Sequence, residues 1–370
     1  MNFALSDEQE FLKEAARGTL SRVATVEAAR EALDGAPLPD LWPAAVEAGW
    51  PGLLVSEANG GADLSPLEAM LVFEELGRVL ASVPLLGHLP ATFLLDRAGA
   101  ADAVAPLAAG EACAAYVPAR PPTDLSDDWT VDPALGLTRA PAPSFADGRV
   151  TGTVAWVPDA PGADRLVVVL DDGRAALLDA ADARIEPATV YDATRSLGHV
   201  TFAAAPATLL DLEPGDTAAA WYLAQALIGA EAVGAVDVAL QTSVAYAKER
   251  HTFGRAIGSY QAVKHELVEM LRGLDNARSL MYYAGWAAQD KPDEFPLAAS
   301  AFRLAAGKAF DHAARAQISV HGGIGATWEH DAPLYYRRAQ LSRRLLGGTA
   351  GAADRVAGEL ITTARAQAAA

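Results

Sequence analysis

The sequence predicts an α+β protein built of three successive parts. They are an N-terminal α-helical domain over 1–110, a middle antiparallel β domain over 111–213 and a C-terminal four-helix bundle over 214–370. Three observations predict this order. Apolar residues recur at helical spacing through the first hundred positions. Near Glu111 the texture changes to short β-type runs separated by Gly, Pro and Asp-Gly. From Asp216 the long helical spacing returns and repeats in four stretches.

In the first part, residues 6–33 read as a helix. Ser6 serves as its N-cap, Glu8 and Gln9 lie in its first turn, and Phe11, Ala15 and Leu20 begin an apolar stripe. Helices follow over Leu38–Ala48, Pro66–Leu80, Leu85–Arg97 and Ala101–Ala109, with Gly60-Gly61 marking a tight loop. In the second part the runs ACAAYVP, DWTV, GLTRAPAP, GRVTGTVAWVPDA, DRLVVVLDD, GRAALLDA and HVTFAAAPATLL read as strands joined by short turns. In the third, Leu223, Leu227, Ala230, Val233, Leu240 and Val244 give the spacing of one long helix, and Leu267, Met270, Leu271 and Leu274 that of the next. A third helix spans Leu297–Gln317 and a fourth runs from Ala350 toward the end.

Composition excludes several functions. The 370 residues carry a formal net charge of −18, so the chain repels phosphate backbones and anionic membranes; neither nucleic acid nor membrane is an expected partner. An anionic ligand needs a local arginine to be held against that background. The single cysteine, Cys113, excludes an intrachain disulfide and a cysteine-ligated metal site, and reads as a small hydrophobe. The N-terminus has early acids and no apolar core, unlike a signal peptide, and no uninterrupted apolar run reaches the roughly 18 residues of a membrane span. The expected location is cytoplasmic. No Walker-type loop or strand-coupled GxGxxG occurs.

One stretch organises the chain: Ala245 to His265, AYAKERHTFGRAIGSYQAVKH. A long helix closes on Arg250 and His251, where cations suit the negative end of the dipole, and the chain breaks at Phe253-Gly254. It restarts at Tyr260-Gln261. Arg250 can present a planar fork of donors to a diphosphate. Taken alone, the stretch is equally an ordinary helix–loop–helix with a basic C-cap.

Taken with HGGIGATWEHD at 321–331, LSDEQEFLKEAARG at the start and SEANGG at 56–61, it resembles the acyl-CoA dehydrogenase family over nearly the whole chain. That resemblance implies FAD lying between the β domain and the bundle, its adenine half reaching a neighbouring subunit. It places Arg250, His251, Thr252 and Phe253 at the pyrophosphate, followed by Tyr260 and Gln261. It places His321, Gly322, Gly323 and Gly325 in the loop beside the adenosine half, with Ser319 where a glutamine is usual and Gln317 two residues earlier. Trp156 matches the tryptophan flanking the flavin ring, Pro158 replaces a threonine that meets it, and Thr349 is a further candidate contact. The family's phosphate-facing TEPGxGSD loop is replaced by PARPPTD after CAAYV. Glu329 and Asp331 read as structural acids, His330 as a loop histidine, and Arg337 and Arg338 as solvated or inter-subunit ion-pair formers.

The family reaction needs a carboxylate placed across the substrate from the flavin. The usual glutamate position is occupied by Gly347, within LLGGT, and Gly351 stands where a glutamine follows. The alternative family position falls on Ala224. Glu231, two turns further along that helix, is the nearest substitute. The resemblance therefore implies an FAD-dependent acyl-CoA dehydrogenase or a subunit of one, working as a homo- or hetero-oligomer with a related subunit. Its substrate would be an acyl-CoA thioester, of the fatty-acid or sterol side-chain kind, and its electron acceptor an electron-transfer flavoprotein. Two other readings stay open: a catalytically silent structural or regulatory subunit, and a flavin-dependent monooxygenase or oxidase on the same fold.

Overall fold

A computed structural model describes residues 4–118, 130–131 and 139–369. Residues 119–124 of PARPPTD therefore lie outside the described residues. Helix α1 (Asp7–Leu20) begins in a capping box: Gln9 N–H donates to Ser6 Oγ at 3.2 Å and Ser6 N–H to Gln9 Oε1 at 3.0 Å. The single helix expected over 6–33 is two. α1 stops at Leu20 and α2 (Thr25–Glu31) starts after a turn. Ser21 Oγ donates to Gly18 O at 2.8 Å, a local bond at the end of α1, and Thr25 Oγ1 donates to Val79 O at 2.6 Å, a tertiary contact that fixes the start of α2 against Val79. The expected Leu38–Ala48 helix contracts to α3 (Trp42–Glu47), because Pro37 and Pro39 hold the preceding chain extended.

Helices α4 (Pro66–Arg78), α5 (Leu85–Arg97) and α6 (Ala101–Ala108) complete the helical block. Lys13 reaches Glu74 at 2.8 Å, and Arg17 grips Glu75 with two bonds, at 2.9 and 2.8 Å, fixing α1 on α4.

The β part contains two four-stranded sheets. One is ordered β4-β5-β9-β8 (Ser144–Ala146, Arg149–Pro158, Leu197–Pro206, Arg184–Pro187) and is antiparallel throughout. The other is β1-β6-β7-β10 (Ala114–Val117, Arg165–Val169, Ala175–Asp179, Thr208–Leu209). The all-antiparallel expectation fails at one pair: β1 and β6 run parallel, Ala114 beside Arg165 and Val117 beside Val168. The chain between them passes through the other sheet, and a long crossover is what lets two strands align in parallel. A two-stranded ribbon pairs β2 (Thr130–Val131) with β3 (Arg139–Ala140).

Helix α7 (Asp216–Glu249) is the axis of the molecule and packs against α4, α5, α8 (Gln261–Asp290) and α9 (Phe295–His321). It is long and apolar enough in composition to cross a membrane, yet 89% of its most apolar window is buried by these neighbours. A helix apolar all round is what the centre of a multi-helix core requires. Helices α10 (Ala332–Ser342) and α11 (Gly348–Ala369) close the bundle. At the α4–α7 crossing Gly77 lies over the Glu231 carbonyl and Gly234 over the Glu74 carbonyl, each approach closed to any Cβ.

Candidate functional site

After Glu249, Arg250 takes an extended conformation (φ −74°, ψ 124°), and a short hairpin follows. β11 (His251–Thr252) pairs with β12 (Arg255–Ala256) around Phe253-Gly254, whose φ values are +47° and +79°. Two positive φ values suit a two-residue hairpin. Ile257 N–H donates to Arg250 O at 2.7 Å, Tyr260 Oη to Thr252 O at 3.1 Å, and the Arg255 guanidinium lies 4.1 Å from the Tyr260 ring centroid. The hairpin is thus held at its base and from one side, while its tip is free. Arg250, His251, Thr252 and Phe253 are all exposed, Phe253 by 94%, and Gln261 is exposed at the start of α8. Among the described residues the Arg250 guanidinium has no hydrogen-bond or ion-pair partner. The expected diphosphate grip is therefore not a pocket of one protomer. It is an outward-facing element with an unneutralised cation.

The glycine loop lies at the same end of the bundle. His321, the last residue of α9, is buried between Tyr246 and His330, with ring centroids 4.4 and 4.2 Å away. Its Nδ1 meets Gln317 O at 2.8 Å, and Gln317 Nε2 donates to Thr242 Oγ1 at 2.9 Å. The imidazole thus points into the protein and anchors the loop; Gly322 (φ +66°) and Gly323 are its exposed surface. Ser319 faces a different groove, beside Glu266, His312 and Arg315. His330 Nδ1 accepts Ala332 N–H at 3.0 Å, and burial lowers its pKa, with His321 adding to the effect. Asp331 pairs with Arg30, which ties the loop to α2, while Glu329 is exposed.

Trp156 stands elsewhere, on β5. Its strand pairs Val154 with Val200 but Val157 with Gly198, so Ala155 and Trp156 face the single residue His199. This bulge, with Trp156 at φ +59°, turns the indole out of the sheet and leaves it 40% exposed, edge-on to His199 at 4.6 Å. A tryptophan at positive φ is an uncommon and costly arrangement. It presents a flat aromatic face to solvent instead of filling the core. Pro158, two residues on, is buried.

Gly347 (φ +79°) and Gly348 (φ +68°) form the turn into α11, and Thr349 lays its methyl against Gly307 of α9. Ala224 is fully buried, and its neighbour Gln225 donates to Leu346 O at 3.1 Å, binding α7 to that turn. Glu231 cannot act as a base. It is 3% exposed and its two carboxylate oxygens are committed to Arg195 and Arg338. Nor is Arg338 a solvated or inter-subunit group. It is completely buried, and its Nε also donates to Asp192 at 2.8 Å and its Nη2 to Thr194 Oγ1 at 2.5 Å. Burial lowers the pKa of a guanidinium, but the Glu231 and Asp192 carboxylates outweigh this and hold that of Arg338 raised. For Arg195, burial together with the neighbouring Arg338 outweighs the pull of Glu231, Asp192 and Asp159, and its pKa is lowered. Arg303 is bonded through Nη2 to the Ser342 and Leu345 carbonyls and has its pKa lowered to about 10 by burial and by Arg195. Arg337, by contrast, reaches the Tyr191 carbonyl at 2.8 Å near the surface. Nothing in any motif announced Asp192, Arg195 or Arg303; only their burial together marks them.

The candidate residues thus fall in three places: the hairpin with the glycine loop, Trp156 on the β domain, and the Gly347 turn beside Gln225. Family models for the N-terminal and C-terminal domains of acyl-CoA dehydrogenase match residues 6–103 and 220–361. Acyl-CoA dehydrogenase IpdE2 of Mycobacterium tuberculosis is 32% identical over 345 residues, spanning 92% of this chain and 93% of its own length. The chain belongs to the acyl-CoA dehydrogenase family and is of the oxidoreductase class that family defines. IpdE2 of Mycolicibacterium smegmatis is 29% identical over 355 residues, 93% of this chain and 96% of that protein. A structure of a Tcur3481-Tcur3483 steroid ACAD variant superposes with a TM-score of 0.84 at 26% identity, over 97% of this chain and 99% of that one. The ChsE4-ChsE5 complex from Mycobacterium tuberculosis shares the fold, with a TM-score of 0.83 at 24% identity over 98% and 99% of the two chains.

Proposed function

We propose that this chain is one subunit of an FAD-dependent acyl-CoA dehydrogenase that introduces an α,β double bond into an acyl-CoA thioester, with a related partner chain supplying the proton-abstracting carboxylate. The observation that carries this is the state of the three base positions. Gly347 and Ala224 have no acid, and Glu231 is neutralised by two arginines. The flavin, when bound, supplies the hydride acceptor. This chain's own residues would anchor it: Arg250 at the hairpin would hold the diphosphate of a cofactor shared with the partner, and Trp156 would offer its exposed face to the ring. That the similar steroid ACAD bears the paired name Tcur3481-Tcur3483 supports a heteromer, and supports a bulky sterol-derived acyl group as substrate. Electron-transfer flavoprotein is the proposed acceptor, and the cytoplasm the proposed location.

The test is to prepare the chain alone and together with a related dehydrogenase subunit, then titrate acyl-CoA anaerobically against the flavin absorbance. Bleaching should occur in the complex and not in the isolated chain. Equal bleaching by the chain alone would sink the partner-base reading, and a complex without flavin would favour a silent structural subunit. In the complex, Arg250→Ala should weaken flavin retention roughly 10- to 100-fold, the worth of a charge-assisted bond to phosphate. Its melting temperature without flavin should be unchanged, because the guanidinium is exposed and unpaired. Unchanged flavin content in this variant would remove the hairpin from the cofactor site.

A further inference from the structure

Between the helical block and the β domain lies a cleft of about 500 Å³ that the dehydrogenase reading does not use. Its apolar walls are Trp42, Val83, Pro84 and Pro161, and four carboxylates open on it: Asp40, Glu111, Asp159 and Asp164. Among the described residues, no Lys, Arg or His lines it.

Asp159 sits at its floor. It is only 7% exposed, at φ +58°, and its Oδ2 accepts the Gly87 N–H of α5 at 2.8 Å. Its other carboxylate oxygen has no hydrogen bond among the described residues and is not fully buried, so it opens on the cleft. Asp164 and Asp40 repeat the pattern: one oxygen of each accepts a backbone N–H, from Cys113 at 2.8 Å and Trp42 at 2.9 Å, and the other is spare. The cleft therefore combines a surplus of anionic acceptors, one of them deeply buried, with a flat apolar wall. A buried carboxylate facing a cavity whose described lining carries no cation, with Arg195 and Arg338 acting on it only from outside that lining, is an arrangement a cation in the cleft would relieve.

We infer that this cleft binds an aliphatic ammonium ion, its N–H donors taken by Asp159 and the rim carboxylates and its methylene chain lying along Trp42, Val83 and Pro161. The volume is in the range of small-molecule sites, and an ammonium beside an indole gains a cation–π contribution. The site does not depend on the flavin reading. Burial raises the pKa of Asp159 to about 6. The Gly87 N–H, Arg195 and Arg338 oppose the rise and Glu231 adds to it. Asp40, Glu111, Asp164 and the Cys113 thiol also face this cleft, and the carboxylates among them add to its negative field. The ionised form binds the cation, so affinity rises as pH climbs through 6 and binding below that pH expels a proton.

The experiment is calorimetric titration of the full chain with cadaverine, using pentanediol as the neutral analogue and buffers of differing ionisation enthalpy. One saturable site is expected, silent toward pentanediol, tightening about tenfold per pH unit below 6 and releasing protons there. Asp159→Asn keeps an acceptor for Gly87 N–H and should weaken cadaverine at least tenfold with its melting temperature retained. Glu111→Gln, at the exposed rim, should weaken it less. Equal binding of pentanediol would overturn the proposal. So would pH-independent binding by the natural chain, which needs no variant to fold, or binding unchanged in Asp159→Asn. Weak multi-site attraction removed by salt would show only the pull of a −18 chain.

Discussion

Gly234→Ala is expected to destabilise the protein by about 3 kcal/mol or more, although alanine is the better helix former by about 1 kcal/mol. A Cβ at 234 would overlap the Glu74 carbonyl oxygen, and one at Gly77 the Glu231 carbonyl oxygen. Each obstacle is backbone on the opposing helix, so relief requires moving α4 from α7 along the whole crossing. That crossing also carries the α4 carboxylates: Glu74 binds Lys13 and Arg278, and Glu75 binds Arg17. Arg78 of α4 pairs across the crossing with Asp237 of α7, and separation of the helices would loosen that contact as well. Gly18 in α1 is the control. Nothing lies within 4 Å of a Cβ there, so Gly18→Ala should stabilise by about 0.5–1 kcal/mol. Urea unfolding midpoints of the two variants check this. If Gly234→Ala matches Gly18→Ala, the close approach at the crossing is not real.

Arg338→Ala should cost about 3–5 kcal/mol, the range for removing one partner of a fully buried ion pair. Five acceptors lose this donor at once: Asp192, Glu231, the hydroxyl and carbonyl of Thr194, and the Leu80 carbonyl. Arg195 keeps its ion pair with Glu231 but forms none with Asp192, which is left buried with only the Thr194 amide and hydroxyl and a longer-range pull from Arg195. Because Asp192 and Thr194 belong to the β domain, Glu231 to α7 and Arg338 to α10, the loss falls on the junction between domains. Thermal unfolding should then separate into more than one transition. Arg337→Ala, one residue away, should change stability by no more than about 0.5 kcal/mol, since among the described residues Arg337 is tied only to the Tyr191 carbonyl near the surface. Equal losses in the two variants would refute the buried network as the tie between domains.

Those two variants also divide what could be read in the chain from what could not. Ser6 and Gln9 announce the start of α1, and the structure forms that capping box. The long helix α7 and the turn at Phe253-Gly254 are equally local; the turn appears as expected, whereas the helix closes at Glu249, before the Arg250 and His251 expected at its end. Membership of the family follows from strings such as RHTFG and HGGIGATWEHD, whose spacing survives in order along the chain. The two adjacent arginines at 337 and 338 look alike in sequence, yet one is tied near the surface and the other lies at the centre of an ion network. That difference depends on partners from 107 to 146 positions away.

The sequence by itself determined the helical and strand periods, the caps, the turn glycines and the absence of an acid at positions 224 and 347. These follow from interactions between residues a few places apart, or from which side chain is present. Only the tertiary structure decided that Glu231 is neutralised, that His321 turns inward, that β1 and β6 run parallel and that Trp156 is pushed out on a bulge. Each of these depends on which distant segments meet, and a buried charge or a close backbone approach is defined by its neighbours in space.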